Sequence, residues 1–286
     1  MNFLLDEVAR ATIRLAEAGV DAPRTDAEEL AAWVHQVRRG ALHTVPDAEF
    51  DALYWECVAR RAAREPLQHI TGRAYFRYLE LMMGPGVFVP RPETEIMVEW
   101  AIETLHAMDV ADPLVVDLGT GSGAIAISIA QEVPRSRVHA VEVDAEALAW
   151  AKRNIEASGH TDRLRLHQVD FAKALPELTG QVNLVISNPP YVPTGQDTVL
   201  PPEVRGYDPG VALWSGPDGL DDIRCLESVG SRLLHPGGFM AIEHGDGQGV
   251  EMPWLFPEER GWRDIRNRKD LARRDRFVVM RRAQPE

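Results

Sequence analysis

Asn188, Pro189, Pro190 and Tyr191 follow directly on an apolar run at residues 182–186. The Asn188 side-chain oxygen and the Pro189 carbonyl oxygen are hydrogen-bond acceptors on a backbone that the prolines hold stiff. Such a pair can orient the N–H bonds of a planar nitrogen, which is a poor nucleophile, and can stabilise the charge that develops when it accepts a methyl group. Tyr191 can stack on the flat group that carries this nitrogen. Taken alone, the motif fits a stiff strand exit equally well.

A glycine-rich turn lies upstream, between a predicted buried strand and a predicted helix. Glycine permits a sharp turn and lets a ligand approach the backbone without a clash against a Cβ atom. The spacing G-x-G-x-G can also be read loosely as the dinucleotide fingerprint, with Ala124 as the last small residue. In this context the turn indicates a nucleotide-like ligand. Its residues are Gly119, Thr120, Gly121, Ser122 and Gly123.

Acidic residues stand at the ends of the next two predicted strands. Glu142 can accept hydrogen bonds from both ribose hydroxyls of an adenosine ligand. Asp170 can accept from the exocyclic amine of adenine, and Phe171 can pack on the purine ring. Dehydrogenases and methyltransferases share these features. The acceptor pair at Asn188 favours a methyltransferase. A dehydrogenase is disfavoured, because no catalytic group for a nicotinamide site is evident.

The candidate residues all stand at the carboxyl ends of predicted strands. Strands and helices alternate from Pro113 onward, which is typical of an open, mostly parallel sheet with helices on both faces. Ligands bind such sheets at the carboxyl ends of the strands, near the point where the strand order reverses. The predicted strands span residues 114–118, 138–143, 164–169, 182–186, 239–242, 262–265 and 276–280, and a helix ends at 236–238.

The first part of the chain differs in its periodicity. Residues 1 to about 70 show helical spacing only, and a third helix is predicted to begin near Asp47. Gly84-Pro85-Gly86, flanked by aromatic and branched residues, predicts the turn of a β-hairpin. We therefore predict a helical bundle over residues 1–73, a hairpin linker over 74–92 and an α/β domain over 93–286.

Composition narrows the class of protein. The chain of 286 residues carries a net charge of −13, which argues against stable binding to nucleic acid. No apolar stretch approaches the roughly 20 residues of a membrane span, and no signal peptide is visible, so a cytoplasmic protein is expected. Cys57 and Cys225 form no metal-ligand pattern, and no metal is expected.

Together these motifs resemble the PrmC/HemK family of release-factor glutamine methyltransferases, which are class I S-adenosylmethionine-dependent enzymes. The resemblance covers most of the chain in the family's order. NPPY is shared with adenine and guanine amino-methyltransferases, whereas the PRPETE and EVRGYDP segments are more specific. The supporting segments are REPLQHITGRAYF (64–76), VFVPRPETE (87–95), VVDLGTGSGAIAI (115–127), SNPPYVP (187–193), EVRGYDPGVAL (203–213) and EHGDGQG (243–249).

The resemblance implies a Rossmann-like, mostly parallel seven-stranded sheet, preceded by a small all-helical domain that docks the substrate. It implies S-adenosyl-L-methionine as the cofactor, held by the glycine-rich turn, by Glu142 where the family more often has aspartate, and by Asp170, Phe171 and Asn188. The substrate would be the glutamine of the Gly-Gly-Gln motif in class 1 peptide chain release factors, bound by residues 188–191. A monomer is implied. Arg273 departs from the family, which usually carries glycine there.

Two other readings stay open from the residues alone. An amino-methyltransferase acting on adenine or guanine is compatible with NPPY, although the acidic net charge and the lack of an obvious target-recognition domain disfavour it. A non-catalytic adenosine-binding module is disfavoured because a pure binder has no need of the amide clamp.

Overall fold

The computed structural model describes residues 3–45 and 52–284. Its contacts divide the chain into two compact units. The first comprises the residues up to Arg73 together with Met83–Pro85 and Leu200–Tyr207. The second comprises Ala74–Met82, Gly86–Val199 and the residues from Asp208 onward.

The helices and strands have the following bounds. The helices are α1 (Phe3–Glu17), α2 (Pro23–Val34), α3 (Ala52–Ala62), α4 (Leu67–Thr71), α5 (Thr94–Ala107), α6 (Ala124–Glu132), α7 (Ala145–Ser158), α8 (Pro202–Tyr207) and α9 (Asp221–Leu233). The strands are β1 (Arg73–Phe76), β2 (Leu79–Met82), β3 (Leu114–Leu118), β4 (Arg137–Glu142), β5 (Leu164–Gln168), β6 (Val182–Ser187), β7 (Leu234–Glu243), β8 (Trp262–Lys269) and β9 (Asp275–Arg282). Among the described residues, no helix is both long and apolar enough to cross a membrane.

The first unit is helical, as its periodicity predicted. Leu15, Leu30 and Val58, from α1, α2 and α3, are fully buried and form one core. The Tyr54 hydroxyl donates a hydrogen bond to the Ala27 carbonyl, 3.2 Å away, and so satisfies a polar group inside that core. The start of the third helix, predicted near Asp47, lies outside the described residues.

A buried ion cluster ties α8 to this bundle. Arg61 donates to Asp26 at 2.7 Å and to Glu203 at 2.8 Å. Arg64 donates to both Glu203 oxygens, each at 2.7 Å. Burial raises the pKa of Glu203, but the hydrogen bonds from Arg64 and Arg61 outweigh it and lower the pKa to about 2.

We expect Glu203→Gln to lower the free energy of unfolding of the first unit by about 3 kcal/mol at pH 7, because it removes the counter-charge of Arg64 and one of the two counter-charges of the buried Arg61. The stability from the ionised carboxylate is fully present above the unfolded pKa of about 4.3 and is lost as the pH falls towards 2. Denaturant unfolding followed by helical circular dichroism at pH 7 and pH 3 measures both effects. Glu28→Gln is the matched control, since its partner Arg24 is 81% exposed. Equal losses in the two variants would contradict the prediction.

The second unit contains the predicted seven-stranded sheet. Its strand order is β5-β4-β3-β6-β7-β9-β8. The pairs from β5 to β7 are parallel, and β9 is antiparallel to both of its neighbours. The chain runs outward from β3 through β4 to β5 and then returns to β6 on the other side of β3. The strand order therefore reverses between β3 and β6.

The prediction that the hairpin turn lies at Gly84-Pro85-Gly86 is wrong. The hairpin is β1 and β2, and its turn is Arg77-Tyr78, with Arg77 at a φ of 50°. Arg77 holds this left-handed conformation through hydrogen bonds of its guanidinium to both Glu132 oxygens, at 2.6 and 2.7 Å. Its backbone N–H also donates to Glu95 at 3.1 Å. Long-range contacts therefore stabilise a turn that lacks the usual turn residues.

Strand β7 also differs from its prediction. It begins at Leu234 and includes the Pro-Gly-Gly segment at 236–238, which the sequence indicated as a break. The pairing register with β6 shifts between Val182 and Leu184. A shift of this kind accommodates a proline, because the proline cannot donate a ladder hydrogen bond.

Candidate active site

Asn188 follows the last residue of β6, at the point where the strand order reverses. The Ser187 hydroxyl donates to the Leu118 carbonyl at 2.6 Å, which ties the end of β6 to the end of β3. The glycine-rich turn begins directly after Leu118. The structure therefore brings the NPPY motif and the glycine-rich turn to the same edge of the sheet.

The backbone after Asn188 is fixed on several sides. Val192 donates to the Leu213 carbonyl at 2.8 Å, and its own carbonyl accepts from Ser215 at 3.0 Å. The Gln248 side chain donates to the Tyr191 carbonyl at 3.1 Å. Gly219 approaches so closely that a Cβ atom there would lie 2.3 Å from the same carbonyl oxygen. Residues far apart in sequence thus hold the loop in place.

The Asn188 amide has a defined orientation. Its Nδ2 atom donates to the Thr94 hydroxyl, 3.2 Å away. Thr94 is the first residue of α5 and is 3% exposed. Within the described part of the chain, the Oδ1 atom of Asn188 accepts no hydrogen bond, and it is available to a ligand.

The side chain of Tyr191 is partly buried against the core of the second unit. Burial, followed by the negative charge of Glu243, raises the pKa of its phenol, while Arg276 acts in the opposite direction. Tyr191 is therefore a neutral aromatic ring at physiological pH. A neutral ring suits stacking, and its phenol cannot act as a base.

The glycine-rich turn forms a cradle. Gly119, Gly121 and Gly123 have φ values of 75°, 56° and 86°, in the left-handed region that favours glycine. A Cβ atom on Gly119 or Gly121 would project into open space, with no atom within 4 Å. The backbone is therefore exposed to a ligand at both positions. Thr120 and Ser122 alternate with the glycines and are buried.

Glu142 ends β4 and holds this turn. One of its oxygens accepts from the backbone N–H of Gly121, 2.9 Å away. The other accepts from the N–H groups of Val143 and Asp144, both at 2.9 Å. A carboxylate has about four acceptor positions, so one position is left for a hydroxyl of a ligand. This is a narrower role than the predicted acceptance of both ribose hydroxyls.

Asp170 and Phe171 lie beyond the end of β5, on the same edge of the sheet. Asp170 is exposed and accepts from the Ala172 N–H at 2.9 Å. Phe171 is partly buried, and its ring packs against the core. The ends of β3, β4, β5 and β6 thus lie along one edge of the sheet, as predicted, and each candidate residue stands at or just beyond one of these ends.

Asp117 was not singled out from the sequence. It lies fully buried in β3 and accepts a 2.5 Å hydrogen bond from the Thr120 hydroxyl. Burial raises its pKa to about 7, and the Thr120 hydrogen bond opposes this. Its Oδ1 atom has no partner among the described residues. A charged residue inside an apolar strand was the signal that could have identified it.

These residues fit an adenosine ligand that carries a positively charged methyl-donor group. The cradle leaves backbone exposed, Glu142 keeps one acceptor position, and the Asp117 carboxyl has an unpaired oxygen below the turn. The methyl-accepting group would then meet Asn188, directly beside the cradle.

Comparisons with known proteins point the same way. Residues 8–72 match the PrmC N-terminal domain, and residues 79–200 match the methyltransferase small domain. The release factor glutamine methyltransferase of Streptomyces coelicolor is 63% identical over 285 residues, which is 100% of both chains. The 4-amino-L-phenylalanine/4-methylamino-L-phenylalanine methyltransferase of Streptomyces pristinaespiralis is 43% identical over 90% of this chain and 87% of its own.

A solved structure supports the fold. The catalytic domain of hMettl16, in complex with MAT2A 3′UTR hairpin 6, has a TM-score of 0.59 and 13% identity, and the match covers 83% of this chain and 84% of that one. At this identity the likeness concerns the fold alone. It confirms the predicted Rossmann-like α/β architecture.

Proposed function

Because the chain belongs to the family of release factor glutamine methyltransferases, we propose that it methylates the side-chain amide nitrogen (N5) of the glutamine in the Gly-Gly-Gln motif of class 1 peptide chain release factors. The methylation would modulate translation termination. The observation that carries the proposal is the orientation of the Asn188 amide. Its Nδ2 atom donates to Thr94, which leaves Oδ1 to accept a hydrogen bond from an N–H of the substrate amide.

Bound S-adenosylmethionine supplies an electrophilic methyl group. The Asn188 Oδ1 atom and the Pro189 carbonyl would each accept one N–H of the glutamine amide and so fix its plane. Tyr191, with Pro190 beside it, would pack on that plane. Fixed acceptors favour the transition state, in which the amide nitrogen gains positive charge. No general base is needed early, because the proton can leave after the methyl group has moved.

The residues assigned to the cofactor have separate tasks. The exposed backbone of residues 119–123 would hold the methionine and ribose part, and the free acceptor position of Glu142 would take a ribose hydroxyl. Asp170 would accept from the adenine amine, with Phe171 against the ring. Asn188 lies between the two ligands and would contact both.

A groove beside Tyr191 is suited to the rest of a protein substrate. It has a volume of about 630 Å³, and its lining includes Gln248, Asp246, Glu251 and Trp254. Trp254 is 81% exposed, and tryptophan is among the residues that most often anchor a protein partner. Chain segments that flank the methylated glutamine would lie here.

We expect Trp254→Ala to raise KM for a release factor about tenfold, since an exposed aromatic anchor is worth roughly 1.4 kcal/mol of binding. Because Trp254 is assigned neither to the reacting amide nor to the cofactor, kcat and the affinity for S-adenosylhomocysteine should not change. Steady-state kinetics and calorimetry measure these quantities, with Trp254→Phe as the control that keeps an aromatic ring. An unchanged KM would show that the groove does not bind the substrate.

The function itself is tested by incubating the protein with methyl-labelled S-adenosylmethionine and a recombinant class 1 release factor. Mass spectrometry should place the label on the Gly-Gly-Gln glutamine, and a release factor with alanine in its place should remain unlabelled. Parallel reactions contain 4-amino-L-phenylalanine, which the name of one relative suggests, or nucleic acid. Label found only on one of these acceptors would overturn the proposal.

The helical domain over residues 1–73 would dock the release factor, with the hairpin region at 74–92 as a linker to the methyltransferase domain at 93–286. The protein would act as a monomer in the cytoplasm, and the net charge of −13 argues against stable binding to nucleic acid.

A further inference from the structure

Two segments that the sequence marked as distinctive, residues 87–95 and 243–249, support the NPPY loop through Thr94 and Gln248. The structure brings one residue from each to the back of the NPPY loop. Thr94 begins α5, and Glu243 ends β7, which pairs with β6 so that Ile242 lies opposite Ser187. Glu243 therefore stands at the same level of the sheet as Asn188.

A chain of contacts joins the three side chains. The Nδ2 atom of Asn188 donates to the Thr94 hydroxyl at 3.2 Å. The carboxyl group of Glu243 faces the same hydroxyl, which lowers its pKa, and its Oε2 atom has no hydrogen-bond partner among the described residues. Thr94 is 3% exposed and Glu243 1%, so water does not compete for these groups.

The number of hydrogens that Asn188, Thr94 and Glu243 can donate decides the orientation of the Asn188 amide. A threonine hydroxyl has a single hydrogen to donate. When Glu243 is ionised it can only accept, so Thr94 must donate to Glu243 and accept from Asn188. The Asn188 amide then turns its NH2 group towards Thr94 and its oxygen towards the substrate. With the opposite orientation, the NH2 group would face the N–H bonds of the substrate amide, donor against donor.

We propose that Thr94 and Glu243 are positioning residues, which fix the Asn188 amide with its oxygen towards the methyl acceptor. The inference rests on the proposed function in that Asn188 is taken to hold an amide N–H. It adds a reason why a carboxyl group is buried behind a loop that contains none. It also gives the PRPETE and EHGDGQG segments a shared task.

The surroundings of Glu243 make this orientation sensitive to pH. Burial raises its pKa to about 7, the Thr94 hydrogen bond and the charge of Arg276 lower it, Glu93 raises it and Arg91 lowers it. The phenol of Tyr191 also faces it and stays neutral. Below about pH 7 the protonated carboxyl can donate to Thr94, which frees the hydroxyl to donate to the Asn188 oxygen and turn the amide. Activity should therefore rise with pH through about 7.

The kinetic test compares variants of these two residues. Thr94→Val removes the hydroxyl at nearly constant shape and should lower kcat about 100-fold, with the affinity for S-adenosylhomocysteine unchanged. Thr94→Ser keeps the hydroxyl and should restore kcat to within a few-fold of the wild type. Glu243→Gln should abolish the rise of kcat near pH 7. Thr179→Val, at an exposed hydroxyl, is the matched control. Wild-type kcat in Thr94→Val, or an unchanged pH profile in Glu243→Gln, would overturn the proposal.

A second measurement needs no substrate. In protein labelled with ¹⁵N at asparagine, the side-chain NH2 signal of Asn188, assigned by its loss in Asn188→Asp, should shift between pH 6 and pH 8 in the wild type. The shift should be absent in Glu243→Gln. If the wild type does not methylate a release factor, the proposed function fails while this signal still reports on the positioning chain. A signal that does not respond to pH in the wild type overturns the chain itself.

Discussion

Asn188→Ala is expected to lower kcat by about three powers of ten while it leaves the affinity for S-adenosylhomocysteine largely unchanged. The substitution removes one of two acceptors that orient the substrate amide, at a site where the nitrogen is a poor nucleophile. It also removes the donor that satisfies the buried Thr94 hydroxyl. The loss should fall mainly on the chemical step, because Asn188 would supply only one contact to the cofactor, whereas the cradle that follows β3 and Glu142 at the end of β4 would supply the others.

Single-turnover rates with saturating release factor, together with calorimetry for S-adenosylhomocysteine, separate the two effects. Gln181→Ala is the matched control. Gln181 carries the same amide group immediately before β6, at the opposite end of the strand, and donates to Glu177 at an exposed position. If Asn188→Ala turns over at the wild-type rate, Asn188 has no part in the reaction. If its cofactor affinity collapses as well, the residue supports the cofactor site rather than the acceptor.

The sheet and the edge that carries the site were predictable because their signals are local. A parallel strand buried on both faces appears as a continuous apolar run, as in β3 and β6, where every residue is buried. The helix after Asp144 was equally clear. The Asp144 side chain caps this helix by accepting hydrogen bonds from the N–H groups of Glu146 and Ala147, which are its near neighbours in sequence.

The errors arise where distant residues decide the local conformation. The hairpin turn at Arg77 depends on Glu132, 55 positions away, and no turn signature marks it. Strand β7 includes a Pro-Gly-Gly segment because its pairing with β6, present at Leu234, resumes at Phe239 after a register shift. Arg273, where the family usually carries glycine, lies in the turn between β8 and β9 with a φ of 62°. Glycine adopts that conformation without strain, and arginine does so at some cost.

Contacts between distant residues also limit what the sequence predicts about the interior of the site. Asn188 and Glu142 could be found because each stands at a strand end with a motif around it. Thr94 and Glu243 stand in motifs as well, but the sequence does not reveal that α5 and β7 meet behind the NPPY loop. Their roles depend on which side chain donates each hydrogen bond and which accepts it. This direction can be assigned only when the positions of Asn188, Thr94 and Glu243 are known.

Glu142→Gln is expected to weaken the binding of S-adenosylhomocysteine about 100-fold and to lower the free energy of unfolding of the second unit by about 2 kcal/mol. The change is nearly isosteric, yet the carboxylate accepts from three backbone N–H groups through both of its oxygens. A glutamine has an oxygen at one position only and places an NH2 group at the other. Either the Gly121 N–H or the pair from Val143 and Asp144 must then face a donor.

Whichever bond is lost, the consequence reaches the cofactor. Gly121 sits at a φ of 56° in the cradle, and without its anchor the turn is no longer held in the shape that exposes backbone to the ligand. Calorimetry and denaturant unfolding measure both changes. Glu156→Gln is the control, since that side chain is 60% exposed on α7. This substitution should leave both quantities unchanged within error.

Glu142→Asp separates the effect of charge from that of side-chain length. It keeps two acceptor oxygens but withdraws them by one methylene. An affinity near the wild type in Glu142→Asp, with a large loss in Glu142→Gln, would identify acceptance by both oxygens as the property that the site requires. Equal affinity in all three proteins would remove Glu142 from the cofactor site.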